Sequence, residues 1–225
     1  SMLSGQAPSI AWEAGLRYET TDVDVSYALF EDDGSLDESD SGSTDYGILL
    51  PSAHLKWDLT DADRLSLSVA RTVRRPNFNF LNPLLLDGEY GDNDFIGNPE
   101  LEPETAWGAD VGVEHRIGRQ GIVGINFFYR KVSDLVELYN TGDLSEAFME
   151  EYEDAVEEAE DDGDTPPTLE EFMDDETPSY VLSARNTGDG EVYGVEFDLS
   201  TPLDFINLPD TGVFLNYSWL DSSIN

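Results

Sequence analysis

Cysteine is absent from the 225 residues, which excludes disulfides and thiolate metal sites and leaves the redox compartment unread. Cations are scarce as well: 11 Lys and Arg stand against 49 Asp and Glu, for a formal charge of -38. Nucleic acid is thereby excluded as a partner class, because phosphate binding needs clustered Lys and Arg. The same charge opposes electrostatic adsorption to an anionic membrane surface, although it does not oppose insertion of a barrel. His54 and His115 are too few and too scattered for a dedicated metal site, and packing or lining a wall is the simpler role for each. No run of about 18 apolar residues exists, so a transmembrane helix is excluded. A membrane-crossing strand needs only about 9 to 11 alternating residues and is untouched by that test.

What the chain has in quantity is alternation. Trp107, Ala109, Val111, Val113 and Ile117 share one face of a strand, with His115 as the polar intruder, while Gly108, Asp110, Gly112, Glu114 and Arg116 share the other. The same two-residue period runs through residues 10–18, 49–59, 65–73, 123–130, 192–199 and 213–220, giving about seven strands. Pro51 lacks a ladder donor and predicts an irregularity there. Tight turns fall near 60, 119 and 207. Between them lie long acidic intervals at 31–45, 78–104 and 141–178, the last without Lys or Arg. Within it, Leu144, Phe148, Tyr152, Val156 and Ala159 recur at helical spacing, which predicts an acidic amphipathic helix capped by Asp143; residues 168–173 add a helical turn. A strand beginning near Tyr180 passes a bulge or bend at the glycines of 186–190 before continuing.

Periodicity alone leaves two architectures open. In a soluble β-sandwich the apolar face points inward; in a large membrane barrel it points to lipid and the polar face lines the lumen. Short turns alternating with long loops favour the barrel, and Trp12, Trp57, Trp107, Tyr129 and Trp219 suit its interfacial girdles. Three motifs add a resemblance. Arg74-Arg75-Pro76, Asn82-Pro83 and Gly97-Asn98-Pro99-Glu100-Leu101-Glu102-Pro103-Glu104 lead into the strand from Thr105. Asn186, Gly188, Gly194 and Glu196 form an Asn-x-Gly-x-x-x-x-x-Gly-x-Glu strand, and Leu50-Pro51-Ser52 resembles a strand entry. Together, and in this order, they resemble the barrel of TonB-dependent outer-membrane receptors across essentially the whole chain.

The resemblance implies an all-β, antiparallel up-and-down meander: about seven strands of a larger transmembrane β-barrel in a Gram-negative outer membrane, with long acidic external loops, one containing a helix. It also implies a scarce ligand (a metal chelate, cobalamin or an oligosaccharide), a plug domain, the TonB energy-coupling complex acting through that plug, and outer-membrane lipid around the wall. Residues 1–225 are then expected to be a partial barrel domain, with Ser1-Met2 a vector remnant and the plug and remaining strands elsewhere. An isolated open sheet of this kind is expected to self-associate. No cofactor is implied. The competing reading is a soluble acidic β-sandwich serving as an adhesin or carbohydrate-binding module.

Candidate site residues follow the loops. Phe78, Phe80, Tyr90 and Phe95 are aromatics of the kind that contact sugars or chelates, with packing on the barrel rim as the plainer role. Arg74 and Arg75 suit an anionic ligand at the mouth, or neutralise nearby acids. Asp32, Asp33 and Asp37, with Asp161, Asp162 and Asp164, offer oxygen ligands for calcium but lack the twelve-residue spacing of a calcium loop, and a solvated acidic surface is the simpler account. Glu196, Asp198, Glu114, Asp110 and Arg116 read as lumen-lining charge rather than catalytic carboxylates, since no Ser-His-Asp or Cys-His set accompanies them, and an enzyme is not expected.

Overall fold

Alternating side chains fix the faces of each strand, and the short turns fix neighbour to neighbour, so consecutive segments zip into one antiparallel wall. In the computed structural model, which describes residues 1–30, 36–88, 92–118, 120–208 and 210–224, this wall has eight strands. They are β1 (Met2–Ala7), β2 (Ile10–Phe30), β3 (Leu36–Asp58), β4 (Asp63–Arg74), β7 (Glu104–Ile117), β8 (Gly121–Ser133), β11 (Gly190–Pro202) and β12 (Gly212–Ile224), hydrogen-bonded in that order and not closed. A second sheet joins β5 (Leu85–Leu86), β6 (Asp94–Ile96), β10 (Tyr180–Asn186) and β9 (Val136–Leu144). The helices are α1 (Phe78–Leu81), α2 (Glu146–Asp162) and α3 (Leu169–Asp175).

Register carries single rows of side chains across the wall. Trp12, Leu55, Leu67, Val111, Phe127, Val195 and Trp219 are successive cross-strand partners from β2 to β12. On the opposite face the row from Lys56 runs through Ser66, Gly112, Asn126 and Glu196 to Ser218. No described element covers the apolar face: Val111, Phe127 and Trp219 remain 42%, 50% and 48% exposed. A sandwich would bury these side chains against a second sheet, and no described element supplies one; the arrangement is that of a membrane-barrel wall with its apolar face outward. Strand length agrees. Strands β8, β11 and β12 have 13 residues each, about 43 Å of chain, which at a tilt near 45° is roughly the 30 Å of a hydrocarbon core. His115 lies at the short-turn end of this face, where its Nδ1 is 2.7 Å from Asp63.

The structure adds detail that the alternation does not predict. Strand β1 turns at Pro8-Ser9 to pair with β2, making the eighth strand. Much of the acidic interval expected as a loop is strand, since β3 begins at Leu36 and pairs with β2 from there. Its Ser, Asp and Gly residues give the sequence no apolar alternation, and pairing with β2 runs through them all the same. Pro51 stays in register opposite Leu16; the irregularity is on the other edge, where the β3–β4 ladder stops at Ser52 and Ala70.

The β8–β11 hairpin bends where residues 133–135 face 187–189 and continues as β9–β10, with α2 and α3 at its tip. Helix α2 is capped by Ser145, whose hydroxyl accepts from Phe148 N, rather than by Asp143, which lies within β9. Gly163 ends it in the left-handed conformation, at φ 77°. The helical turn expected at 168–173 is α3, opened by a capping box between Thr168 and Glu171.

Candidate functional site

The buried side chains gather at the long-connection end of the wall. Leu81, Leu101 and Ala184 form a core against which Phe80, Val136, Val23 and Val25 pack. Because β4 and β7 separate β3 from β8 in the sheet, this cluster lies across the polar side of the wall and ties β2 to the β9–β10 extension.

The sequence motifs are the ties. Within residues 97–104, Gly97 N donates to Asn82 O at 3.0 Å, and a Cβ on Gly97 would stand 2.1 Å from that oxygen, so only glycine fits the approach. Asn98 donates from Nδ2 to Ala184 O at 3.1 Å and accepts on Oδ1 from Glu100 N at 2.9 Å. Asn186, from the second motif, accepts from Glu102 N at 2.8 Å and donates to Glu102 O and Asp134 O at 2.9 and 2.8 Å. Glu104 spends one carboxylate oxygen on Val136 N at 3.0 Å and the other on Arg74 Nη1 at 3.2 Å. Pro99 presses on Gly42, where a Cβ would stand 2.3 Å from the proline ring. The two motifs therefore grip one another. The remaining motif positions serve the wall: Phe128 folds over Gly194, and Glu196 accepts from Asn126 at 3.2 Å.

The named candidates divide. Arg75 is held by Glu19, which also takes Arg17 at 2.6 Å, and Arg75 Nε donates to Thr21 at 3.1 Å, so its charge is already partnered. Arg74 pairs with Glu104 yet its side chain is 79% exposed. These two arginines, with Phe80, Glu104 and Val136, line a cleft of about 40 Å³, room for little more than a water. Phe80 and Phe95 stack on one another, centroids 5.6 Å apart, half-buried. Phe78 is 78% exposed. Tyr90, Asp32 and Asp33 lie outside the described residues; Asp37 belongs to β3, and Asp161 and Asp162 end α2. The structure brings Arg74, Arg75 and Phe80 together and leaves Phe78 facing outward.

Sequence reasoning passes over Asn98, Leu101 and Asn186 as individuals. Their signal is the motif itself, since an amide three residues before a buried leucine or at a strand end makes backbone bonds that no apolar residue replaces. It also passes over buried Asp94, whose carboxylate accepts from Gly88 N and Glu146 N, both at 2.8 Å, and so fastens the start of α2 to the loop. Phe148 and Tyr152 of α2 pack on Phe172 of α3.

Carboxylates crowd that helix start. Repulsion from Asp87, then burial, then Asp94 and Glu150, hold the Glu146 carboxyl above the ordinary glutamate range, against the helix dipole. A carboxyl that binds its proton more readily folded than unfolded destabilises the docked helix at neutral pH, and that penalty disappears as pH falls through its raised folded value. We expect the loss of α2 helical signal on heating to move upward as pH falls from neutral toward the ordinary glutamate range, and Glu146→Gln to raise it at neutral pH and flatten the dependence. Circular dichroism of the folded protein checks this. Glu171 has the opposite sign: its bonds to Thr168 hold it low, so its stabilisation of α3 is lost in acid.

Below the mouth the inner face is polar and internally paired. Arg130 Nη2 donates to Asp110 at 2.8 Å, Ser68 to the same carboxylate at 2.9 Å, and Arg64 Nε to Asp58 at 2.7 Å. Glu13, His54 and Lys56 help line a hollow of about 420 Å³ beside β1.

Comparison with known proteins gives one consistent result. A family model described as TonB dependent receptor-like, beta-barrel matches residues 7–225. Among solved structures, the Serratia marcescens hemophore receptor HasR, determined with its hemophore HasA and heme, superposes with a TM-score of 0.61 at 16% identity, over 95% of this chain and 32% of its own. The siderophore receptor PirA of Pseudomonas aeruginosa gives 0.58 at 16%, over 99% and 41%. The copper transporter OprC gives 0.59 at 15%, over 96% and 27%. The chain spans about a third of the length of these proteins.

Proposed function

Because the chain belongs to the TonB-dependent receptor-like β-barrel family, we propose that it supplies wall and outer vestibule to a Gram-negative outer-membrane receptor for energy-coupled uptake of a small, scarce ligand. The observation that carries this is the inversion of the wall, with apolar rows outside, a paired polar lining inside, and the buried core at the mouth. Receptors of this family are transport proteins, and the inner face offers bonded charge pairs rather than an activated nucleophile.

Metal chelates, cobalamin and oligosaccharides are the ligand classes that suit exposed aromatics and a cation at the mouth. Among the described candidates, Phe78 and Arg74 are best presented to them, while Arg75, Phe80 and Phe95 hold the vestibule in shape. A plug inside the barrel and the TonB complex beneath it are the partners this role requires, with lipid around the wall. Phe78→Ala and Arg74→Ala together should lower uptake of the cognate ligand by about tenfold without changing barrel assembly. The assay is accumulation of labelled heme, ferric siderophores, cobalamin and oligosaccharides by cells expressing the full receptor. Uptake that ignores both substitutions sinks the assignment of these two residues, and uptake of every probe that ignores collapse of the inner-membrane proton gradient sinks the receptor reading.

A further inference from the structure

From β2 to β11 the outward face of the wall is aliphatic or aromatic until one register row, where β4, β7 and β8 present Arg71, Trp107 and Lys131 side by side. Two of the chain's few cations thus stand two strands, about 10 Å, apart on the face that elsewhere meets hydrocarbon. The row lies within three residues of the upper ends of β4 and β8, where the long connections leave. Both side chains point further in that direction. Arg71 donates from Nη1 to Leu49 O at 3.5 Å and from Nη2 to Thr105 Oγ1 at 3.4 Å, and its Nε has no acceptor. A guanidinium carries five donors, so two contacts at the limit of hydrogen-bond length leave it under-satisfied. Lys131 Nζ sits 3.1 Å from Asp189, both side chains about half exposed, with Glu191 opposite in register.

We infer that Arg71, Trp107 and Lys131 form a seat for the phosphate groups of a phosphorylated outer-leaflet lipid. The inference rests on the membrane orientation proposed above, with the long connections outside. Long cationic side chains lay their stems on apolar surface and lift their charge to headgroup level, the depth that tryptophan also prefers. A guanidinium fork matches phosphate oxygens, and an exposed Lys–Asp pair exchanges partners readily. The carboxylates of Asp189, Glu191 and the acidic connections above repel a free anion. A phosphate held here is therefore one tethered by acyl chains lying along the apolar rows, which favours lipid over inorganic phosphate.

The test uses the full-length receptor in detergent micelles doped with diphosphorylated lipid A, measuring lipid retained per protein. Arg71→Ala with Lys131→Ala should raise the half-saturating lipid concentration on the order of tenfold, and dephosphorylated lipid A should bind wild type and variant alike. Barrel assembly is read separately by the gel shift on heating; should the alanine pair not assemble, Arg71→Gln with Lys131→Gln replaces it. Equal retention by variant and wild type, or of the two lipids by wild type, overturns the seat, and displacement of the lipid by equimolar inorganic phosphate overturns the lipid as its occupant. Failure of the orientation itself reads differently: the long connections would resist protease added to intact cells, and the seat would fall with it.

Discussion

Arginine in place of Val111 or Phe127 is expected to abolish accumulation of the receptor in the outer membrane. The two residues are cross-strand partners in the middle of the row from Trp12 to Trp219, on the face that no described element covers. A cation at the bilayer midplane on the lipid face of a barrel costs roughly 2 to 4 kcal/mol, comparable to much of a domain's net stability. Neither side chain is near a rim toward which arginine could lift its charge, as Arg71 does. Ser66→Arg, one residue away in β4 but on the opposite face, should assemble at close to the wild-type level. Membrane fractionation and the heat-dependent gel shift check both. Equal loss in the two faces would mean that volume rather than lipid contact decides the outcome.

The second large effect belongs to the mouth. Leu101 is 1% exposed and central to the small core formed with Leu81 and Ala184, so Leu101→Ala is expected to cost about 2 to 5 kcal/mol of local stability. The core has few members and cannot redistribute the loss. Loop 75–103 and the β9–β10 extension should then come apart together, because Asn98 and Asn186 join them through the same segment. Limited proteolysis should cut within that loop at least an order of magnitude faster, while the wall, whose strands are held by their own ladders, stays resistant. Unchanged cleavage would mean that the hydrogen bonds, not the core, hold the vestibule.

These two sites also mark how far the chain can be read from its residues. The wall is legible, since Trp107 to Ile117 and its counterparts alternate strictly and a period of two has one structural meaning. Its direction is not, because Val111 looks the same whether it meets lipid or a second sheet; the motifs supply what the period lacks. Residues 36–45 are hidden for a different reason: a strand without apolar alternation has no pattern, and only pairing with β2 defines it. The cap of α2 goes to Ser145 rather than Asp143 because Asp143 is still engaged in β9, a tertiary fact. In the mouth, position along the chain marks Phe80 and Phe95 as candidates but cannot tell that they stack on one another while Phe78 stays open. The tie between Asn186 and Glu102 spans 84 residues, and nothing local announces it.

That the apolar face meets lipid and the polar face meets water is directly measurable with single cysteines placed in this cysteine-free stretch of a receptor in which any cysteine elsewhere has been replaced. Single substitutions Val111→Cys, Phe127→Cys, Asp110→Cys and Asn126→Cys in the full receptor, assembled in cells, would be treated with a membrane-permeant apolar maleimide and with a charged, water-soluble one. Positions 110 and 126 should react with the charged reagent, whereas 111 and 127 should be protected from it and react at most slowly with the apolar one, since a thiol in hydrocarbon does not ionise to the reactive thiolate. Charged-reagent labelling at 111 and 127, with 110 and 126 protected, would contradict that assignment of the faces.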